Sequence, residues 1–155
     1  MMKKTALALA ISLNIGLAAT LTASQVMAAG SYSFTEDSTP KPAPNTPLEQ
    51  AAADNAAGLH FKALSSLERL KVENPTNPDI WNELGFAYRN IKDYEASAKA
   101  YTQALSLEPN HLGALNYQGF MYLETNQPDK AAANAAKLKA LCGDCEDYTS
   151  LAAKL

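Results

Sequence analysis

The sequence predicts an all-α fold built of antiparallel helix pairs. In the first of two adjoining stretches, apolar and small residues recur at helical spacing, namely Trp81, Leu84, Gly85 and Tyr88. After a turn at Lys92 and Asp93 the same spacing returns, in Tyr94, Ser97, Tyr101 and Ala104. Pro109 then ends the unit. The composition, 47% hydrophobic with 7 glycines, also suits a small helical domain.

The pattern W-x2-L-G-x2-Y, followed by a small residue, an aromatic residue, Ala and Pro, closely resembles a tetratricopeptide repeat. The resemblance implies a solenoid of stacked helix pairs with a period of about 34 residues. One period downstream, Gly119 takes the place of Gly85. Both glycines are predicted to mark points where the two helices of a pair cross closely. We predict about three repeats and a closing helix that covers the last apolar face, at residues 46–76, 77–110, 111–143 and 144–155.

The N-terminal part of the chain is predicted to lie outside this domain. Residues 1–28 have a positively charged start, an apolar stretch and small residues up to Ala28, which is the layout of a secretory signal peptide. A membrane anchor is the alternative, but Asn14 and Gly16 interrupt the apolar stretch and favour cleavage after Ala28. Residues 29–45 are rich in proline and are predicted to be a disordered linker. The mature protein is therefore expected in the periplasm or outside the cell.

Four residues stand where helices should begin. Their side chains can accept hydrogen bonds from the N–H groups of a first helical turn, so they are predicted as N-caps. At the first of them, Pro47 suits the first helical position and Glu49 can complete a capping box. The predicted N-caps are Thr46, Asn77, Asn110 and Asp144.

Cys142 and Cys145 are the two cysteines of the sequence, and their C-x-x-C spacing is the one motif here that could carry redox chemistry. In an oxidising compartment two thiols at this spacing usually pair, and a disulfide here would fix the angle between two helices. The alternative is a redox couple, but in thioredoxin-like proteins the pair follows a strand, and the sequence predicts none. A structural disulfide is therefore favoured. The two cysteines with the remote His60 and His111 do not supply a zinc site, so no metal is expected.

Charge and motifs argue against nucleic-acid binding and catalysis. The chain has 13 Lys and Arg against 16 Asp and Glu, with no basic run. It lacks a Gly-rich phosphate loop, a G-x-S-x-G elbow and an H-E-x-x-H pair. His60, at the repeat position of Tyr94, is interpreted as a packing residue, and His111 is expected to be exposed. The sequence predicts a protein without enzymatic activity or cofactor.

The resemblance also implies where a partner would bind. In stacked repeats the first helix of each pair lines the concave side. Members of the family contact ligands through first-helix residues that face away from the packing face. Here these are Asn82, Phe86, Arg89, Asn90, Asn116 and Phe120. The alternative is that the phenyl rings pack internally and the amides are solvated. Some members hold a terminal carboxylate with a Lys/Asn/Arg set, which Arg89 alone does not reproduce.

The sequence thus predicts a non-catalytic scaffold or adaptor that holds a protein or peptide partner in the periplasm or cell envelope. It does not predict which partner. An alternative hypothesis is a thiol–disulfide protein in which Cys142 and Cys145 cycle between oxidised and reduced forms. A third hypothesis is self-association through exposed repeat ends.

Overall fold

A computed structural model describes residues 43, 44 and 46–155 of the chain. The predicted signal peptide and nearly all of the predicted linker lie outside the described residues. Within those residues the chain forms seven α-helices and no strand. The helices are α1 (Pro47–Ala56), α2 (His60–Glu73), α3 (Pro78–Asn90), α4 (Tyr94–Leu107), α5 (Leu112–Glu124), α6 (Pro128–Cys142) and α7 (Glu146–Ala152).

The helices form consecutive pairs that stack in chain order, which confirms the predicted all-α repeat fold. Helix α1 packs on α2, α3 on α4 and α5 on α6, and each pair packs on the next. The first helices of the pairs also contact one another in the order α1, α3, α5, α7, whereas the described second helices make no such contact among themselves. Since the first helices pack closer together, the stack curves around them. Their exposed surface is therefore the concave one.

The core consists of large apolar side chains placed at helical spacing. Leu67, Ile80 and Leu84 are fully or almost fully buried and join the first two repeats. Tyr101, with no exposed surface, occupies the centre, and Leu138 packs with the C-terminal helix. Each such side chain stabilises the fold by roughly 1.5–3 kcal/mol relative to exposure. The repeat pattern therefore marks the packing face.

Two of the predicted N-caps are confirmed. The Thr46 hydroxyl accepts from the Glu49 amide at 3.1 Å, and the Glu49 carboxylate accepts from the Thr46 amide at 3.0 Å, which completes the capping box. The Asn77 side chain accepts from the Asp79 amide at 2.9 Å. Each bond satisfies an N–H group that the helix itself leaves unpaired.

The other two predicted N-caps are wrong. The N-cap of α5 is His111, whose Nδ1 accepts from the Ala114 amide at 3.2 Å, and not Asn110. The side chain of His111 is only 12% exposed, which also corrects the expectation that it faces solvent. Helix α7 begins after Cys145, whose extended backbone makes it the N-cap, and the chain turns before it at Gly143, with φ +69. The Asp144 carboxylate pairs instead with Lys139.

The two repeat glycines lie at close approaches to different kinds of helix. A Cβ atom on Gly85 would lie 2.6 Å from the Tyr101 ring on α4, so α3 and α4 cross closely there as predicted. A Cβ atom on Gly119 would collide with Leu151 on α7. That close approach involves the next first helix, and the prediction that it involves α6, the paired helix, is wrong. Both positions still exclude a side chain for steric reasons.

A disulfide joins Cys142 to Cys145. It connects the last residue of α6 to the N-cap of α7. The bond therefore links α6 to α7, and whether it serves structure or redox chemistry stays a prediction.

Candidate partner-binding surface

Helices α3 and α5 carry all six predicted binding residues, but the structure divides these residues into two groups. Phe86, Arg89, Asn90 and Phe120 are partly exposed. Asn82 and Asn116 are only 6% and 2% exposed. The two predicted phenyl rings and the Asn90 amide are therefore partly exposed, whereas the amides of Asn82 and Asn116 are buried.

Asn116 is engaged inside the domain. Its Nδ2 donates to the Asp147 carbonyl at 2.5 Å and to the Ser150 hydroxyl at 2.8 Å. These bonds hold α7 against α5, so the amide has a structural role. Asn82, one repeat earlier, has a buried Oδ1 without a hydrogen-bond partner among the described residues. Asn90 donates to the Phe86 carbonyl at 2.8 Å, within its own helix.

Arg89 joins α3 to α5. Its Nη1 lies 2.5 Å from the Glu124 Oε1, and its guanidinium carbon lies 5.5 Å from the centre of the Phe86 ring and 5.8 Å from that of Phe120. Lys92 Nζ lies 3.5 Å from the other Glu124 oxygen. The Arg89 side chain is only 13% exposed. Its charge is therefore already paired and is not free to hold a partner's terminal carboxylate.

A small open pocket lies beside this cluster, between α1, α3 and α5. Its volume is about 80 Å³. The Phe86 and Tyr117 rings meet edge to face, with centroids 4.9 Å apart. The pocket is lined by Ala52, Asn55, Ala56, Glu83, Phe86 and Tyr117. Of these six residues the sequence prediction included only Phe86.

The pocket exists because two residues of α1 are small. Ala52 lies one period of about 34 residues before Phe86, and Ala56 lies one period before Asn90. Where the second repeat carries a ring and an amide, α1 carries methyl groups. Comparing side-chain volumes at equivalent repeat positions would have revealed this pocket from the sequence.

Glu83 is the acidic group of the pocket. Its Oε2 accepts from Asn55 Nδ2 at 2.8 Å, and its carbonyl accepts from the same nitrogen at 3.0 Å. Burial raises the pKa of the Glu83 carboxyl, and nearby Asp79 raises it further, although the Asn55 bond and His111 act in the opposite direction. The pKa of Tyr117 is also raised, by burial and then by the charge of Glu83. The pocket is thus partly desolvated and electronegative.

The two histidines lie at the edges of this surface. The His60 ring is 6.0 Å from the Phe86 ring, and its Nδ1 is 3.4 Å from the Asn55 Oδ1. His111 Nε2 is 3.0 Å from the Asp79 carboxylate. In residues 43, 44 and 46–155 no three His, Cys, Asp or Glu side chains converge as metal ligands would. Among the helices of that same part, none has the length and hydrophobicity needed to cross a membrane.

Residues 78–111 match the family model of the tetratricopeptide repeat. Over 75 residues, 48% of the chain, the sequence is 33% identical to Protein O-mannosyl-transferase TMTC3 of Mus musculus and covers 8% of it. It is 34% identical over 71 residues, 44% of the chain, to the heat-shock protein cognate co-chaperone sgt12 of Aspergillus fumigatus, and covers 21% of it. It is 40% identical over 53 residues, 34% of the chain, to the uncharacterized protein ycf37 of Guillardia theta, and covers 30% of it. The chain thus spans less than a third of each of these relatives.

Proposed function

We propose that this tetratricopeptide repeat protein is a non-catalytic scaffold that holds a protein or peptide partner on its concave surface. The observation that carries the proposal is the pair of partly exposed rings, Phe86 and Phe120, one on each of two neighbouring first helices. An extended segment can bury apolar side chains against such rings while the rigid helices keep their spacing. The similarity to a co-chaperone supports a role in protein binding.

Within this proposal, the bond between Cys142 and Cys145 has a structural role and is not a redox couple. It joins two helices, and no strand precedes it in the described residues, unlike the redox pairs of thioredoxin-like proteins. The similarity to a transferase covers only 8% of that protein and does not extend the proposal to catalysis. The purified protein is therefore not expected to accelerate the reduction of insulin by dithiothreitol. Rapid insulin precipitation that disappears in a Cys142→Ser variant would contradict the non-catalytic proposal.

We also propose that the chain is exported and works in the periplasm or outside the cell. The layout of residues 1–28 and the disulfide both fit an oxidising compartment. N-terminal sequencing of the protein recovered from the envelope fraction should begin at Ala29. Recovery of the uncleaved chain from the cytoplasm would refute this location.

Affinity capture from an envelope extract tests the binding role. The bait is the purified exported chain, and the test variant carries Phe86→Ala and Phe120→Ala. Phe61→Ala is the matched control, because Phe61 is also a surface ring, 75% exposed, but lies on α2 in the second-helix layer. We expect the wild type and the control to retain a partner that the double variant loses.

Circular dichroism of the same proteins separates binding from folding. If the double variant keeps its helical signal and retains the same proteins as the wild type, the proposed surface is wrong. If it loses that signal, the rings serve packing between helices. Gel filtration of the wild type at several concentrations tests the separate hypothesis of self-association.

A further inference from the structure

The carboxylate in the pocket between α1, α3 and α5 has no cation. Among the described residues no Lys or Arg lies within ion-pair distance of Glu83, whose partner is the neutral Asn55 amide. A partly buried carboxylate without a countercharge is costly, because the single hydrogen bond from Asn55 replaces only part of the hydration that burial removes. The site therefore gains more from an incoming cation than an exposed carboxylate would.

Two basic side chains near the pocket are already engaged elsewhere. Arg89 is bound to Glu124, and the His111 ring is hydrogen-bonded to Asp79. Neither can turn to Glu83 without abandoning its own partner. A cation carried by a partner could therefore supply the charge complementary to this pocket.

The rings of the pocket favour the same kind of ligand. Phe86 and Tyr117 line the pocket next to Glu83. Aromatic rings attract cations through their electron-rich faces, and the attraction grows when water is excluded. They also provide apolar surface for the methylene groups of a long basic side chain. An anionic group would meet both the carboxylate and the rings unfavourably.

We propose that this pocket receives a lysine or arginine side chain from the partner segment, with its cation on the Glu83 carboxylate and its methylene groups against Phe86 and Tyr117. The proposal rests on the proposed function, because it assumes that an extended segment occupies the concave surface. It adds a specificity: a basic residue at one position of that segment, and not a terminal carboxylate. The partner segment is thus apolar where it meets Phe120 and basic where it meets the pocket.

Short blocked peptides test this with the purified chain. The peptides are identical except for one central residue, which is Lys, Arg, Gln or Glu, and leucines flank it to engage the phenyl rings. Binding is followed by NMR titration at low ionic strength. The Lys and Arg peptides should bind about fivefold more tightly than the Gln peptide, and the Glu peptide should bind least. The preference should shrink as salt is added.

Glu83→Gln removes the charge and keeps the shape, so it should reduce the preference to less than about twofold. Glu95→Gln is the matched control, because Glu95 is 82% exposed on α4, in the second-helix layer, and it should leave the preference unchanged. Ala52→Phe is an independent variant that fills the pocket. It should reduce the affinity for the Lys and Arg peptides to that for the Gln peptide.

The outcomes separate this proposal from the proposed function. If all four peptides bind equally, or if the preference survives in Glu83→Gln, the pocket proposal is wrong while the scaffold proposal stands. If no peptide binds, the pocket proposal is also wrong, and partner capture through Phe86 and Phe120 decides the scaffold proposal by itself. The difference between the Lys and Arg peptides shows which cation the pocket prefers.

Discussion

The interface between α1 and α3 is open, whereas the interface between α3 and α5 is filled, although equivalent repeat positions line both. At the filled interface Arg89 lies beside Phe86 and Phe120 and pairs with Glu124. At the open interface Ala52 stands at the position of Phe86. The backbone plan is the same, so side-chain volume at a few positions decides whether the surface is closed or can receive a ligand.

The two interfaces also differ in charge. Glu124 at the filled interface has Arg89 at 2.5 Å and Lys92 at 3.5 Å, so its charge is compensated. Glu83 at the open interface has no Lys or Arg at ion-pair distance among the described residues and accepts a hydrogen bond from the neutral amide of Asn55, which stands at the repeat position of Arg89. Replacing an arginine by an asparagine in the first repeat therefore removes both volume and positive charge. What remains is a small acidic pocket.

The largest expected effect comes from opening the filled interface. Arg89→Ala removes a long side chain from between two rings and leaves Glu124 without its closest partner. We expect the free energy of unfolding to fall by about 2 kcal/mol, since both packing and a partly buried ion pair are lost. Urea denaturation followed by circular dichroism measures the loss.

Lys99→Ala is the control for this prediction. Lys99 also forms an ion pair, with Glu95, but its side chain is 75% exposed. Its removal should cost less than about 0.5 kcal/mol. If Arg89→Ala costs no more than the control, Arg89 does not hold the α3–α5 interface together, and the contrast between the two interfaces would be one of shape alone.

A smaller effect is expected from filling the open interface. Ala52→Phe places a ring where the next two repeats already have one, against Phe86 and into free volume. We expect stability to rise by about 0.5–1 kcal/mol through apolar burial and ring contact. Ala57→Phe, at the exposed end of α1, is the control and should give no gain. A loss of more than about 1 kcal/mol for Ala52→Phe would show that the pocket cannot accept a ring without strain.

The fold could be predicted because its signal is periodic. Trp81, Leu84, Gly85 and Tyr88 define a packing face by spacing alone, and stacking then follows from the need to cover that face. Individual contacts could not be predicted in the same way. The close approach at Gly119 involves Leu151, because α7 lies where a further first helix would pack. The sequence gives the reason for a glycine there, namely a close neighbour, but not which helix supplies that neighbour.

The candidate site was predictable only in part. Phe86 and Phe120 are partly exposed on the first helices, and their role in binding stays a prediction. Asn116 is buried because α7 packs over it. The position of α7 could not be predicted, since this helix is short and its apolar periodicity is weak. The pocket was missed because it is defined by missing volume in Ala52 and Ala56, and searches for chemical motifs look for groups that are present.

The smallest expected effect is a pH dependence of stability that distinguishes Glu83, at the open interface, from Glu68, on α2. The raised pKa of Glu83 means that the folded state holds this proton more tightly than the unfolded state. Its contribution is therefore fully present below the unfolded pKa and is lost as pH rises through the folded value. Four groups face this carboxyl and stay unchanged in Glu83→Gln, namely Asp79, His111, Tyr117 and Asn55.

Glu68, on α2, provides the opposite case. Burial raises the pKa of its carboxyl, but bonds from Lys71 and Tyr88 outweigh burial and lower it overall. Its contribution is present above the unfolded pKa and is lost as pH falls through the folded value. Urea midpoints of Glu83→Gln, measured from about pH 4 to 7, where ordinary carboxyl groups finish titrating, should therefore rise relative to those of the wild type as pH increases. Urea midpoints of Glu68→Gln should instead fall relative to those of the wild type as pH increases. Identical pH profiles for wild type and Glu83→Gln would mean that this carboxyl is as well solvated as an exposed one, and burial would then not distinguish the acid of the open interface.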